Sequence, residues 1–224
     1  EISACLVGSE MCIRDRYRGL QLQLVVYMDA AMEMLRGQHP KKEILPGGIL
    51  YYHIDDPVLE SDTPLSDEEA EQALLFALRP DGLVNSGEEI YRAMDQNFEG
   101  KSQMIPVEIK KNGEISTARS KVASTEEFAV ITRYVEHEIR QCGEAIYAGN
   151  IAVNPYRSDI ETSCTYCPYG SVCGMDAKIP GYEYRQFASM KKEEVLDQMQ
   201  TELARNRGKE ERSDEMDEGT AERH

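Results

Sequence analysis

Most apolar positions in the chain repeat with the spacing of amphipathic helices. Between residues 17 and about 36 they recur at steps of three and four, and Gly37 and Pro40 then end the pattern. The clearest helix is predicted from residue 125 to about 148, after a Ser124/Glu127 capping-box pair. Its apolar stripe consists of Phe128, Ile131, Val135, Ile139, Cys142 and Ile146. Shorter helices are predicted at 66–78, 88–95 and 191–203.

Strand patterns are fewer and lie between these helices. The run ILYYHI at 49–54 is β-branched and aromatic, which predicts a strand with both faces covered. The segments IPVEI and EISTA are joined by Lys-Lys-Asn-Gly, which predicts a hairpin over residues 105–118. Helices and strands in this order predict an α/β fold.

The charge balance limits how the chain contacts other molecules. It has 25 basic and 41 acidic residues in 224, a net charge of −16. Such a surface repels a phosphate backbone, so contact with nucleic acid would need a local groove or a partner subunit. No apolar run approaches the roughly 20 residues that span a bilayer, and the opening lacks the order of a signal peptide. We therefore expect a cytoplasmic protein with no membrane contact.

The two ends of the chain differ from the middle. Residues 1–16 show neither helical nor strand periodicity, and SACLVGSEMCIRDR resembles the translation of a sequencing adapter. We expect 1–16 to be an artefact, with the natural protein continuing upstream of Tyr17; the alternative is an irregular natural N-terminus. At the other end, a helix over 186–207 is expected to precede a disordered charged tail at 208–224.

Three cysteines in ten residues carry the strongest chemical signal. Cys164, Cys167 and Cys173 form C-x2-C and C-x5-C steps in a Pro/Gly-rich loop at 154–181. Clustered thiolates select zinc or an iron–sulfur cluster over hard cations. Structural zinc usually takes four local ligands, and only three are present. Cys142 is a candidate fourth ligand, but its place on an apolar stripe favours a buried core residue.

Two segments resemble a known family. NIAVNPYRSDIETSCTYCPYGSVCGMD is similar to the C-terminal end of AddB, the nuclease-bearing subunit family of bacterial AddAB helicase–nucleases. YRGLQLQLVVYMDAAMEM is similar to the helix that follows the active site in RecB-like PD-(D/E)XK nuclease domains. The resemblance covers about 17–185. It implies an incomplete PD-(D/E)XK, restriction-endonuclease-like α/β core with flanking helices and a C-terminal iron–sulfur loop.

The resemblance also implies an activity and its parts. Members of the family hold Mg²⁺ on an Asp and an acidic-x-Lys pair that come just before this helix. In this chain residues 1–16 occupy that position. The fragment is therefore expected to be inactive alone. It implies a [4Fe–4S] cluster on Cys164, Cys167 and Cys173, with a fourth ligand far upstream. Gln23 and Tyr27 would line the catalytic cleft, with Gln21 a weaker alternative. The implied context is ATP-dependent exonuclease processing of DNA ends in double-strand-break repair by recombination, with an AddA helicase partner.

A second nuclease-like pattern competes with this interpretation. Pro80-Asp81 and Glu108-Ile-Lys110 spell PD…ExK, but they follow the Gln/Tyr helix and fit a helix-breaking turn and an exposed strand. Asp55-Asp56 is interpreted as a strand-ending turn and His53 as structural. The alternative function is a non-catalytic, zinc-stabilised interaction domain.

Overall fold

The computed structural model describes residues 9–221, except positions 53, 55, 56, 60–63, 97, 159–161, 188 and 189, and describes side chains between 13 and 206. Helices and short strands alternate along the chain. In order they are α1 (Ser9–Tyr17), α2 (Gln23–Gln38), β1 (Gly48–Tyr51), α3 (Asp67–Ala77), β2 (Asp81–Asn85), α4 (Glu88–Met94), β3 (Val122–Ala123), α5 (Thr125–Tyr147), β4 (Tyr156–Arg157), α6 (Gly170–Cys173), β5 (Arg185–Gln186) and α7 (Lys192–Ala221).

The main sheet is mixed, with the order β1-β2-β3. β1 runs antiparallel to β2, with Gly48 opposite Val84, and β3 runs parallel to β2, with Val84 opposite Val122. The short strands β4 and β5 form a separate parallel pair. The expected α/β character is therefore present.

The strand β2 is not predicted by its sequence, because Pro80-Asp81-Gly82 has the pattern of a turn. The strand instead begins at Asp81. Gly82 has φ of +149°, and a side chain there would overlap the carbonyl oxygen of Ile49 on β1. The glycine that suggested a break is thus what allows the two strands to approach.

The predicted strand at 49–54 is shorter and less covered than expected. β1 ends at Tyr51, and Ile49 is its buried residue. Tyr52 and Ile54 are exposed, Ile54 to 93%. The prediction that both faces are covered is wrong, because the chain leaves the sheet after four residues. His53, Asp55 and Asp56 lie outside the described residues.

The hairpin at 105–118 is reduced to isolated bridges. Ile109 pairs with Ile115, and Lys101 pairs with Glu108. The turn is present, since the Lys110 N–H donates to the Glu114 carbonyl at 2.7 Å. Ile105, Val107 and Ile109 of this segment are buried in a second core cluster, together with Val84, Tyr91, Phe98 and Val122.

Helix α5 organises the larger core. Its predicted capping box is present, with Ser124 and Glu127 bonded reciprocally. Phe128, Ile131 and Val135 are buried in a cluster with residues of α1, α2, β1, β2 and α7. The second half of the stripe differs from prediction: Ile139, Cys142 and Ile146 are exposed, Ile146 to 77%. Periodicity marks the apolar face of a helix, but burial depends on what packs there.

The opening segment contains a helix that periodicity did not predict. In α1, Ile13 is fully buried in the larger core, and Asp15 and Arg16 are also buried. The helix expected from residue 17 begins instead at Gln23, after a break in which Gln21 has φ of +51°. Tertiary packing thus gives residues 9–16 a helical form that their weak periodicity does not indicate. The artefactual origin of 1–16 stays a prediction.

The last helix is longer than expected. α7 continues to Ala221, so the backbone that was predicted to be a disordered tail is helical to that point. The segment after residue 203 contains no proline and is rich in Glu and Arg, which favour a helix. Among the described helices, none combines the length and apolar character needed to cross a membrane.

Candidate metal centre and cleft helix

The cysteine loop is closed at its base by the β4–β5 pair. Tyr156 lies opposite Arg185, and the Tyr156 and Phe187 rings stack with centroids 4.9 Å apart. The guanidinium of Arg18, between α1 and α2, lies 4.6 Å from the Phe187 centroid. The two ends of the loop are therefore held together and tied to the start of α2.

Backbone and side-chain hydrogen bonds beside the β4–β5 pair hold the chain next to Cys164. The Tyr156 N–H donates to Ser163 Oγ at 3.0 Å, and the Ser163 N–H donates to the Tyr156 carbonyl at 3.1 Å. Cys164 follows and is half-buried. Interaction with the Cys164 side chain, followed by burial, raises the pKa of Tyr184 above its ordinary value.

The other two cysteines follow on tight turns. The Cys167 N–H donates to the Cys164 carbonyl at 3.3 Å, and the Cys173 N–H donates to the Tyr169 carbonyl at 2.8 Å in the one-turn helix α6. Cys167 is exposed and Cys173 is half-buried. The two cysteines therefore lie on successive tight turns of the loop.

Four cysteine side chains in the described part of the chain are possible donors to a metal ion or cluster. Cys142, Cys164, Cys167 and Cys173 are all free thiols. Among the described residues, however, no three His, Cys, Asp or Glu side chains converge as a metal site would need. Three reduced, at least partly accessible thiols on one loop fit a thiophilic centre by chemistry. The expectation that Cys142 is a core residue is wrong, because it is exposed on the uncovered half of α5.

The predicted cleft residues lie on one face of α2. Gln23 Nε2 donates to the Tyr27 hydroxyl at 2.6 Å, and both side chains are exposed. Tyr27 also lines a largely apolar cavity of about 430 Å³ between α2 and residues 44–50, together with Leu24 and Met28. The i, i+4 spacing therefore places the two side chains on one face of the helix, as predicted. Gln21 precedes α2 and lies in the turn. The roles of all three in catalysis stay predictions.

The PD…ExK pattern does not form one site. Asp81 is paired with Lys121, whose Nζ lies 2.7 Å from Oδ2. Glu108 is paired with Arg119 at 2.9 Å. Lys110 is directed toward Glu114, at 4.0 Å. Each charge is thus neutralised by a different partner, which is the arrangement of structural ion pairs and not of a shared metal ligand set.

Two tyrosines that the sequence did not single out join α1, α5 and α7. The Tyr17 hydroxyl donates to Glu202 Oε1 at 2.8 Å, and the Tyr134 hydroxyl donates to Glu202 Oε2 at 3.1 Å. Burial, followed by the Glu202 carboxylate, raises the pKa of Tyr17 to about 12. Burial, followed by the charges of Glu138 and Glu202, raises the pKa of Tyr134. These contacts span 68 to 185 residues, so no local spacing indicates them.

Comparison with known proteins identifies the class. The profile of the PD-(D/E)XK nuclease superfamily matches residues 9–174. The chain belongs to that superfamily.

More specific relatives are the B subunits of bacterial ATP-dependent helicase/deoxyribonucleases. The protein of Thermoanaerobacter sp. (strain X514) is 37% identical over 196 residues, 88% of this chain and 17% of the relative. That of Lachnoclostridium phytofermentans is 39% identical over 192 residues, 82% of this chain and 16% of the relative. That of Clostridium botulinum (strain Hall) is 38% identical over 196 residues, with coverage of 88% and 17%.

The predicted resemblance to AddB-type nuclease subunits is thereby confirmed. The chain spans about a sixth of the length of these relatives.

Proposed function

We propose that this chain is a portion of the nuclease subunit of an ATP-dependent helicase–deoxyribonuclease that processes DNA ends during double-strand-break repair by recombination. The proposal is carried by the similarity, over 88% of the chain, to proteins named as helicase/deoxyribonuclease components. It implies a helicase partner of the AddA type, a DNA substrate and a cytoplasmic location. The net charge of −16 supports the need for a partner, because this chain would repel DNA over most of its surface.

The portion is proposed to be inactive by itself. Cleavage in this superfamily needs carboxylates that hold Mg²⁺, and the best such pattern in the chain is divided into separate ion pairs by Lys121 and Arg119. We infer that the catalytic Asp and the acidic-x-Lys pair belong to a part of the protein upstream of Tyr17. Gln23 and Tyr27, on the exposed face of α2, would then border the cleft.

The cysteine loop is proposed to hold a [4Fe–4S] cluster. Cys164, Cys167 and Cys173 would supply three thiolates, and the fourth ligand would come from upstream of this chain. The cluster would contribute a covalent clasp between the loop and the nuclease core, with no part in phosphodiester hydrolysis. The free state of the three thiols and the closed base of the loop support this assignment.

Metal content tests the cluster against the zinc alternative. The full chain is reconstituted anaerobically with iron, sulfide and, separately, zinc, and metal and sulfide are counted per protein. We expect iron and sulfide to be retained, and lost in Cys167→Ser. Cys142→Ser removes the other candidate ligand, an exposed thiol on α5, and is expected to leave the iron and sulfide content unchanged because the fourth ligand is proposed to lie upstream. Retention of zinc alone would favour the zinc-stabilised interaction domain.

Nuclease assays test the location of the active site. With Mg²⁺ and linear DNA, the chain is expected to show no cleavage, and joining it to the upstream part of its own gene is expected to restore cleavage. Cleavage by the chain alone that is lost in both Glu108→Ala and Lys110→Ala would contradict the proposal. That result would assign the site to the PD…ExK pattern.

A further inference from the structure

Basic residues are concentrated in one short segment of an otherwise acidic chain. Residues 101–121 contain five basic and two acidic residues, a balance of +3, which leaves −19 for the rest of the chain. A segment of the same length around the end of α2, residues 29–49, contains three of each and has no net charge. Residues 101–121 therefore offer a place where a surface that repels phosphate over most of its area can attract it.

The middle of the segment is an exposed turn with a fixed backbone. Ile109, just before the turn, is buried, whereas residues 110–114 are all exposed. The Gly113 N–H donates to the Lys110 carbonyl at 2.9 Å, and the Asn112 side-chain carbonyl accepts from the backbone N–H two residues later at 3.2 Å. These bonds hold the two adjacent lysines of the turn at the surface. Residues 110–114 are called the basic turn below.

No buried ion pair holds the lysines of the basic turn. Lys110 Nζ lies 4.0 Å from Glu114 Oε2, and the two side chains are 52% and 69% exposed. A pair this exposed contributes little, because water and salt screen it. Glu114 also accepts from the Asn112 side-chain amide at 2.9 Å. Among the described side chains, no carboxylate lies within ion-pair distance of Lys111. Both ammonium groups are therefore available to an anion from outside.

Arg119 adds a third positive charge on the same side. Glu108 and Lys110 are two positions apart in an extended segment, on either side of the buried Ile109, so they point to the same side of the chain. Arg119 Nη1 lies 2.9 Å from Glu108 Oε1, which places the arginine beside this row. Its side chain is 73% exposed, against 19% for Glu108. The guanidinium therefore neutralises the one carboxylate of the row and keeps further N–H donors toward solvent.

We propose that the basic turn and Arg119 form a contact surface for the phosphate backbone of DNA, with Lys110, Lys111 and Arg119 each binding phosphate oxygens. The inference rests on the proposed function, which supplies DNA as the substrate, and it adds the surface by which an acidic chain contacts that substrate. Binding of this kind carries no base specificity. An acidic polypeptide would meet the same three charges, but duplex DNA has a charge about every 1.7 Å along its axis, and this density favours DNA.

The salt dependence of binding counts the contacts. Each neutralised phosphate contributes about −0.9 to the slope of log affinity against log salt for duplex DNA, and about −0.7 for a single strand. Three contacts therefore predict slopes of about −2.7 and −2.1. Removal of the two lysine contacts should reduce the steepness by about 1.8 for duplex and about 1.4 for single-stranded DNA. The two forms of DNA present the same phosphates, and the slopes distinguish them.

The experiment measures binding of the full chain to short labelled duplex and single-stranded DNA by fluorescence anisotropy, without Mg²⁺ and at a series of low salt concentrations. The double variant Lys110→Glu, Lys111→Glu is compared with Lys41→Glu, Lys42→Glu. The control makes the same change in net charge at two exposed lysines in the uncharged segment 29–49. We expect the first variant to bind about tenfold more weakly or less, with the shallower slope, and the control to stay within about twofold of wild type. Lys110→Gln, Lys111→Gln should lie between them.

Each other outcome overturns a different proposal. Equal weakening by the two lysine pairs would mean that net charge alone is felt, which refutes the contact surface and leaves the proposed function intact. Absence of DNA binding by wild type, or tighter binding to poly-glutamate of equal total charge than to DNA, would also refute the surface. Loss of DNA binding confined to the basic-turn variants would support the surface even if the chain joined to its upstream part failed to cleave DNA. That failure would count against the proposed function alone.

Discussion

Removal of the Tyr134 hydroxyl should weaken the junction of three helices. Tyr134 on α5 is 3% exposed, and its hydroxyl lies 3.1 Å from both the Tyr17 carbonyl and the Glu202 carboxylate. Tyr134→Phe keeps the ring, which packs 5.5 Å from the ring of Tyr17, and removes only the hydroxyl. The substitution therefore isolates the polar part of the contact between α5, α1 and α7.

The magnitude follows from the number and kind of bonds that are lost. One hydroxyl has one hydrogen, so the two distances describe a single donor shared between two acceptors. A hydrogen bond to a charged group contributes about 1.5–3 kcal/mol. Glu202 keeps a share of the Tyr17 hydroxyl, whose hydrogen lies between Gln198 Oε1 at 2.6 Å and Glu202 Oε1 at 2.8 Å. We therefore expect the lower part of that range, about 1.5–2 kcal/mol, or a melting temperature lower by about 3–8 °C.

Urea unfolding of the full chain measures this free energy directly. Tyr134→Phe should lower the midpoint concentration without changing the slope of the transition. Tyr147→Phe is the control on the same helix, because Tyr147 is 96% exposed. If the two variants unfold at the same midpoint, the hydroxyl contributes nothing to the junction and the reasoning from its contacts is refuted.

Three further predictions concern the sheet, the helix junction and the loop. Gly82→Ala should lower the free energy of unfolding by about 3 kcal/mol or more, because the added methyl overlaps β1. Gly143→Ala in α5 meets open space and should raise the free energy of unfolding by about 1 kcal/mol. Urea midpoints measure both changes. The free energy of unfolding should fall as pH rises from 10 through about 12, because the raised pKa values of Tyr17 and Tyr134 mean that both ionise first in the unfolded chain, and Tyr17→Phe should reduce this slope. Cys167→Ser should expose the segment after residue 154 to limited proteolysis in reconstituted protein, and unchanged protection would contradict the clasp.

The helices could be predicted from the sequence where local signals agree with packing. The Ser124/Glu127 capping box and the first part of the α5 stripe both indicate the same element, and the structure has it from Thr125 to Tyr147. Beyond Val135 the same periodicity continues, but Cys142 is exposed. Local pattern determines where a helix lies, whereas its burial depends on residues far away in sequence.

The strands were harder to predict because they are short and depend on their neighbours. β2 has five residues and begins at a Pro-Asp-Gly signal that usually marks a turn. Strand β2 forms because Gly82 has no side chain and lets the backbone of Ile49 on β1 come close. These two residues are far apart in the chain, so no local pattern indicates their contact. α1 shows the same limit, since the burial of Ile13 arises only in the assembled core.

The residues of the candidate site also differ in how far the sequence could indicate them. Spacing alone indicated Cys164, Cys167 and Cys173 as a thiol group and placed Gln23 beside Tyr27, and these are local relations. Tyr17 and Tyr134 carry no such signal, because their hydrogen bonds to Glu202 join helices that are far apart in the chain. Spacing identifies groups of residues that are close in sequence more readily than residues that only the fold brings together.

The two predicted site groups are joined through the base of the cysteine loop. Arg18 precedes α2, which carries the cleft residues, and its guanidinium lies over Phe187. Phe187 in turn stacks on Tyr156 of β4, at the other end of the loop. A metal that rigidifies the loop would therefore also restrict the turn from which α2 starts. This contact would give the proposed clasp a physical connection to the proposed cleft without requiring a metal ligand to lie near the substrate.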